Sequence, residues 1–424
     1  MKFGSLEEYE SHLASHVPLP EGVSFSTCTI NFIPREIESE GKSFPMNMTL
    51  IALDEATESF SALYTKNAFP GHPVVLGKEL LKKDKLKGLL INNKISNVEC
   101  PDGYGKSLKL IEDMEGLLPG EGVVFPFSTG IIGWELPVDE MREALPELAK
   151  GRKPGSALSA ARAIMTTDAF PKARTVQVGE SRITGICKGA GMIEPNLATM
   201  LVFVMTDADM SRSDLEACWK KACRRSFNRI SVDSDQSTSD TAFIFTTGKK
   251  PVGKAEFCQA LEALTVEMAQ DIVRNGEGTG HVMEVSVRDA LSEEEAASAG
   301  KALINSPLTK SAVFGNDPNV GRLIQALGDW AGNRDIPLDR QRVLLTMGDI
   351  ELYRDGAFLL DSEKEAVLHK YMKERALPLP SPGFPAHGKN VKITVRLGRG
   401  NESATVWGSD LSHDYVSINA EYRS

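Results

Sequence analysis

The sequence predicts an α/β protein of the layered α+β kind, and three observations carry that reading. Strand-like and helix-like patterns alternate along the whole chain, with no internal repeat and no low-complexity linker. The run "MLVFVMTDA" (200–208) is apolar at successive positions, so a strand there needs cover on both faces. Phe257, Leu261, Leu264, Met268 and Ile272 recur at helical spacing, and the pattern stops at Gly276.

The elements follow in order. Residues 1–50 are mixed, although "MTLIALDE" (48–55) alternates as a strand does. "SFSALYTKNAFPGHPVVL" (59–76) predicts strand, turn at Pro70-Gly71, and strand, and "KGLLINN" (87–93) another buried strand. A helix-like stretch covers 105–117. In "GVVFPFSTGIIGWELP" (122–137) two apolar runs flank a tight Ser128-Thr129-Gly130 loop, between strands or between strand and helix. "SALSAARAIMTTD" (156–168) has helical spacing, and "RTVQVGESRITGICK" (174–188) predicts a hairpin turning at Gly179. After 200–208 comes a helix at 213–227 with Leu215, Cys218, Trp219 and Ala222 on one face. A polar loop at 231–248 leads to the long helix already described. The last third predicts strands near 342–353, a helix near 361–375, a Pro-rich loop at 377–385 and strands at 391–408.

With 424 residues, 41% hydrophobic and 25% charged, the chain has room for two or three domains or one large one. The net charge of −10 and the lack of any block of five or six like charges argue against direct nucleic-acid binding. The first twenty residues carry glutamates where a signal peptide needs basic residues and an apolar core. No stretch reaches the roughly 18 apolar residues of a membrane span, so a soluble, cytoplasmic protein is expected. The six cysteines are scattered without a CxxC pair, which signals neither a disulfide framework nor a zinc site. Most are expected to be small buried thiols.

Several motifs fail on spacing. "GYGKS" (103–107) ends like a phosphate loop, but its first glycine position is Cys100. "DSDQSTSD" (233–240) has Thr238 where a calcium loop needs glycine and Ile244 where it needs glutamate, so it reads as a hydrogen-bonded polar turn. There is no GxSxG and no HExxH, and the seven histidines show no metal spacing; a histidine triad assembled in space stays open.

That leaves Thr199, at the seam between the loop "KGAGMIEPNLA" (188–198) and the apolar run. Threonine often opens a strand, and that is the plainer reading. The chemical reading makes it a nucleophile. A threonine hydroxyl needs a base, and the threonine's own α-amino group can serve once the preceding bond is cut. Such a cut needs a small neighbour, here Ala198, and close backbone approach, which Gly189 and Gly191 allow.

The segment "GICKGAGMIEPNLATMLVFVMTDA" resembles the self-cleavage segment of the ornithine acetyltransferase (glutamate N-acetyltransferase) family. "FSTGIIGWELP" resembles that family's Ser-Thr-Gly-Val-Ile-Gly loop, and "AARAIMTTDAFPK" its Ala-Ile-Met-Thr-Thr-Asp segment. "FNRISVDSDQSTSDTAFIF" resembles its loop of aspartate, serine and threonine after the cut. "NGEGTGHVMEV", "GNDPNVGR" and the terminal "INAEYRS" follow in the family's order.

The resemblance implies the family's fold, sheets sandwiched by helices, in which fragments 1–198 and 199–424 form one intertwined catalytic unit, usually as a heterotetramer of two of each. It implies that Thr199 attacks the carbonyl of Ala198, that Thr129 and Gly130 form the oxyanion hole, and that Thr166, Lys188, Thr199, Glu277, Asn419 and Ser424 bind the amino-acid substrate. Thr167 competes with Thr166 for that contact. Taken singly, Lys188 and Glu277 read as solvated surface charges.

The implied reaction moves an acetyl group from N-acetylornithine to glutamate through an acetyl-threonine, in arginine biosynthesis. It requires no metal and no organic cofactor, and acetyl-CoA as a second donor stays open. Departures from the family pattern bear on donor and acceptor: residues 1–50, "NNKISNVECPDGYG" (92–105), Gly280-His281 for Thr-Lys, and Val320 for tryptophan. The alternatives are a paralogue acting on another N-acyl amino acid, an amidohydrolase using water, or an unprocessed binding protein.

Overall fold

In the computed structural model, which describes residues 3–194, 200–377 and 389–421, the doubly apolar run forms a strand at the centre of the molecule. The N-terminal part runs α1 (Leu6–His16), β1 (Val23–Phe32), β2 (Phe44–Thr57), β3 (Phe60–Tyr64), α2 (His72–Leu80), β4 (Leu86–Asn92), α3 (Gly103–Leu117) and β5 (Val123–Ser128). Then come α4 (Val138–Lys150), α5 (Leu158–Ala163), the hairpin β6 (Lys172–Val178) and β7 (Ser181–Lys188), β8 (Leu201–Ala208), α6 (Arg212–Arg225), β9 (Ile230–Ser231), β10 (Thr241–Lys250) and α7 (Lys254–Arg274). The remainder is β11 (Val282–Ala290), α8 (Glu293–Asn305), α9 (Pro307–Phe314), α10 (Val320–Gly332), β12 (Leu344–Met347), β13 (Ile350–Arg354), β14 (Ala357–Phe358), α11 (Ser362–Lys373), β15 (Val391–Arg396), β16 (Glu402–Ser409) and α12 (His413–Ala420).

Three sheets result, with strand orders β1-β2-β4-β5, β3-β10-β8-β7-β6 and β14-β13-β12-β15-β11-β16-β9. The alternation of side chains along a strand explains how the first two stack. On β8, Leu201, Phe203 and Met205 join the apolar core shared with the first sheet, whereas Val202 and Val204 join the core beneath α6 and α7. Phe243 and Phe245 of β10 face the first sheet and Ala242 and Ile244 face the helices. Phe127 of β5 meets Phe203 edge-on at 4.9 Å and Phe125 meets Phe243 at 5.0 Å, closing the layer between sheets. With α2, α3 and α4 on the outer face of the first sheet, the layers run helix, sheet, sheet, helix. The third sheet packs its own core against α8 and α10.

Local signals fix many of the ends. Gly179 takes φ +57° in the β6–β7 turn, and Ser5, Ser211, Ser292 and Asp361 cap the helices that follow them. Three expectations are corrected. The stretch 72–76, expected as strand, opens α2: Pro73 sits in the first turn, and burial of Val74, Leu76 and Leu80 outweighs the β preference of the two valines. The expected loop 231–248 contains β10 from Thr241 onward, because "AFIF" serves both cores at once. Cys218 and Cys258, for which the sequence signalled no disulfide, are joined in one between α6 and α7; a sequence separation of 40 gave no motif to see. Cys100, Cys187 and Cys223 are buried thiols, as expected. The helical stretch at 156–168 shortens to α5, and the Pro-rich loop at 377–385 lies, apart from Leu377, outside the described residues. Among the described residues no helix is long and apolar enough to cross a membrane.

Candidate active site

The ends of strands from both stacked sheets open on one cavity of about 310 Å³. The first sheet supplies Thr129 and Gly130, which directly follow β5. The second supplies Lys188, the last residue of β7, and Leu201, the first of β8.

Gly130 is required where it stands. Its φ is +130°, and a Cβ there would lie 2.1 Å from the carbonyl carbon of Lys94. The 92–98 loop clamps this turn: Thr129 N–H donates to Asn92 O at 3.1 Å, Ile131 N–H to Lys94 O at 2.8 Å, and Ser96 N–H to Ile131 O at 3.0 Å. Among the described residues no acceptor is bonded to the Gly130 N–H. Lys188 Nζ donates to Thr129 Oγ1 at 3.0 Å, which leaves the Thr129 proton for another acceptor.

Lys188 sits in a field of carboxylates. Burial lowers its pKa, and Asp168, Asp240 and Glu277 oppose that while Lys172 adds to it. Burial would raise the Asp168 pKa, but Lys172, Lys188 and the Gly189 N–H, 2.8 Å from Oδ1, overcome it and bring the group down to about 2. Asp168 also accepts from Thr166 N–H at 3.0 Å, tying the loop after α5 to the strand end.

The opposite wall is Glu277 and Asn419. Glu277 N–H donates to Ala190 O at 2.9 Å, and its carboxylate reaches into space that only glycine leaves open: a Cβ on Gly191 would lie 2.3 Å from Glu277 Oε2. Asn419 Nδ2 donates to that same Oε2 at 2.9 Å. Asp233 secures the neighbouring backbone, accepting from the N–H groups of Met192 (2.6 Å) and Ile193 (2.7 Å), so the 233–240 stretch begins as the hydrogen-bonded turn its sequence suggested.

Of the residues singled out from sequence, Thr129, Gly130, Thr166, Lys188, Glu277 and Asn419 line the one cavity. Thr166 and Thr167 both border it, Thr166 half-buried and Thr167 exposed. Ala198, Thr199 and Ser424 lie outside the described residues. Met200, the next described residue after 194, lines the cavity. Gly280 and His281 do not; the His281 ring is buried with Nδ1 2.8 Å from Asp410 Oδ2. Sequence reasoning missed Asp168 and Asp240. Both stood inside quoted motifs, but nothing local distinguishes a buried carboxylate from the polar residues around it.

The cavity therefore offers an ammonium, hydroxyls and an amide on one hand and carboxylates on the other. That suits a small zwitterion in a partly dry site. A layered α/β protein with a charged, amino-acid-sized cavity at its strand ends is the class defined by fold and site. The chain belongs to the ArgJ family, whose profile matches residues 35–424. It is 35% identical over 428 residues to an arginine biosynthesis bifunctional protein ArgJ of Gluconobacter oxydans, covering 96% of this chain and 94% of that one. It is 34% identical to the glutamate N-acetyltransferase Oat2 of Streptomyces clavuligerus, covering 87% and 91%. Among solved structures, an arginine biosynthesis bifunctional protein argJ from Bacillus halodurans matches at 32% identity and a TM-score of 0.45, covering 52% of this chain and 98% of that one.

Proposed function

We propose that the chain is a self-processing glutamate N-acetyltransferase of arginine biosynthesis, moving an acetyl group from N-acetylornithine to glutamate. The observation that carries this reading is the meeting, in one cavity, of the Lys188–Thr129–Gly130 turn with the Glu277–Asn419 pair. The first suits an oxyanion and the second an amino acid's charged groups. The names of the relatives support the same activity.

In the proposed processing step the Thr199 hydroxyl adds to the carbonyl of Ala198, the Ala198–Thr199 amide breaks, and water hydrolyses the resulting ester. The products are the fragment 1–198 with a new carboxylate and the fragment 199–424 with a free α-amine. That amine takes the Thr199 hydroxyl proton as the oxygen adds to the acetyl carbonyl of N-acetylornithine. The C–N bond then breaks, the proton goes to the departing amine, and ornithine leaves an acetyl ester. The amine of glutamate attacks that ester and Thr199 regains its proton. The Thr129 hydroxyl and Gly130 N–H stabilise the oxyanion at each tetrahedral stage, and Thr166, Lys188, Glu277, Asn419 and Ser424 bind substrate. No metal or organic cofactor enters this cycle. A cytoplasmic heterotetramer of two of each fragment is the assembly we propose.

Intact mass tests the first half: two chains, 1–198 and 199–424, are expected, and one uncleaved chain that matches a Thr199→Ala control overturns it. N-acetylornithine with and without glutamate tests the second. N-acetylglutamate is the expected product, and ornithine released into water alone points to an amidohydrolase. Acetyl-CoA in place of N-acetylornithine shows whether a second donor is used.

A further inference from the structure

The charged and hydroxyl groups account for only part of the cavity lining. The rest is apolar: Ile131, Ile132, Met192, Ile193, Met200 and Leu201. Ile193, Met200 and Leu201 are buried, whereas Ile132 is 41% and Met192 43% exposed, so this wall climbs from a dry floor to an open rim. Both rim residues are held by their backbone. Ile131 donates its N–H to Lys94 O at 2.8 Å, and its carbonyl accepts from Ser96 N–H at 3.0 Å and Ser96 Oγ at 2.8 Å, so Ile132 follows a pinned residue. Met192 takes φ +56°, a left-handed conformation uncommon outside glycine, and Asp233 keeps it there through the N–H groups of Met192 and Ile193. A large apolar side chain kept exposed at a strained position on a cavity mouth points to a ligand that it touches.

Which part of the ligand lies there follows from the carbonyl it carries. Ile131 and Ile132 directly continue the Thr129-Gly130 turn. A carbonyl carbon whose oxygen rests at that turn has two further substituents, the amine nitrogen and the acyl chain. With the amino-acid part at Lys188, Glu277 and Asn419, the acyl chain is left with the apolar wall. An acetyl group brings one methyl, too little to cover both floor and rim. We propose that this wall binds the acyl chain, that the enzyme transfers straight-chain acyl groups longer than acetyl, such as propionyl and butyryl, and that Ile132 and Met192 set the preference. This rests on the acyl-transfer reading of the site. The bonds are those of acetyl transfer: the amide C–N bond of the N-acylornithine breaks, Thr199 holds the acyl group as an ester and its proton leaves with ornithine. The amine of glutamate then takes the acyl group and returns a proton to Thr199.

The test gives the full-length protein N-acetyl-, N-propionyl-, N-butyryl- and N-hexanoylornithine in turn, with glutamate, and measures each N-acylglutamate by mass spectrometry. From acetyl to butyryl kcat/KM is expected to rise by roughly threefold to tenfold, since a fully buried methylene is worth about fourfold and the rim buries it in part. Ile132→Ser and Met192→Asn remove the apolar rim without touching the core, and asparagine tolerates the positive φ at 192. In each the butyryl-to-acetyl ratio is expected to fall toward one, while Leu291→Ser, which removes an exposed apolar side chain outside the cavity, leaves the ratio where it was. A kcat/KM that is flat or falls from acetyl to butyryl, or a preference that survives both rim substitutions, overturns the proposal. Failure to pass any of the four acyl groups to glutamate overturns the functional reading instead. In that case calorimetry still decides the proposal: tighter binding of N-butyryl- than of N-acetylornithine, lost in Ile132→Ser, supports it, and equal binding overturns it.

Discussion

Asn419 on α12 donates its side-chain amide to Glu277 Oε2 at 2.9 Å, across 142 residues of sequence. Helix α12 has no buried residue, so hydrogen bonds place it: Asn419 at one end, and at the other Ser412, whose hydroxyl donates to Gly278 O at 2.6 Å. The two tethers hold the acidic wall of the cavity to the C-terminal helix.

Replacing Asn419 with Ala is therefore expected to act on binding more than on stability. A hydrogen bond to a charged group contributes about 1.5–3 kcal/mol, so the KM for the amino-acid substrate should rise roughly tenfold to a hundredfold. The melting temperature should stay within about 2 °C, since no core packing is lost. Steady-state kinetics with a thermal melt checks both.

Gly191→Ala reaches the same wall from the other side. Its Cβ would stand 2.3 Å from Glu277 Oε2, so the carboxylate must move. The expected outcome is a raised KM with the Lys188–Thr129 contact intact, seen as a kcat that falls by less than about tenfold. A kcat collapse with unchanged KM would show that Glu277 is not the group displaced.

Thr129→Ala removes the hydroxyl that accepts from Lys188. If Thr129 is the oxyanion donor proposed above, its loss is expected to cost about 10²–10³ in kcat, with Thr129→Ser recovering most of it. If the proposed self-cleavage uses the same donor, the uncleaved fraction seen by intact mass should rise in Thr129→Ala as well.

Asp168 links the site to pH stability. Its folded pKa of about 2 lies below its ordinary value of 3.8, so its contribution is present above about pH 4 and is lost as pH falls from there toward 2. The depression corresponds to about 2 kcal/mol. In urea titrations at pH 6, Asp168→Asn should be less stable than wild type by at least that amount, because Lys172 also loses its buried partner. The gap should close as pH approaches 2, and a gap constant with pH would contradict the assignment.

Much of the fold was legible because it is written in contiguous residues. The period-2 alternation of 174–188 and the helical spacing of 257–272 report which faces are buried, and β6, β7 and α7 form there. The chemistry-bearing segments were legible in the same way, since the Thr129-Gly130 turn and the 188–191 loop are each read within a few residues. Where neighbours outvoted local pattern the sequence misled: "PVVL" entered α2 against the first sheet, and "AFIF" became a strand between two cores.

By itself the amino-acid sequence determined the layered α/β class, the family membership its motifs announce and the residue types of the site. Only the tertiary structure decided their company. It set Lys188 against Thr129 from 59 residues away, joined Asn419 to Glu277, and paired Cys218 with Cys258. The physical reason is that periodicity is a property of neighbours along the chain. Charge pairing and burial depend on the path by which strands from two sheets bring their ends to one place.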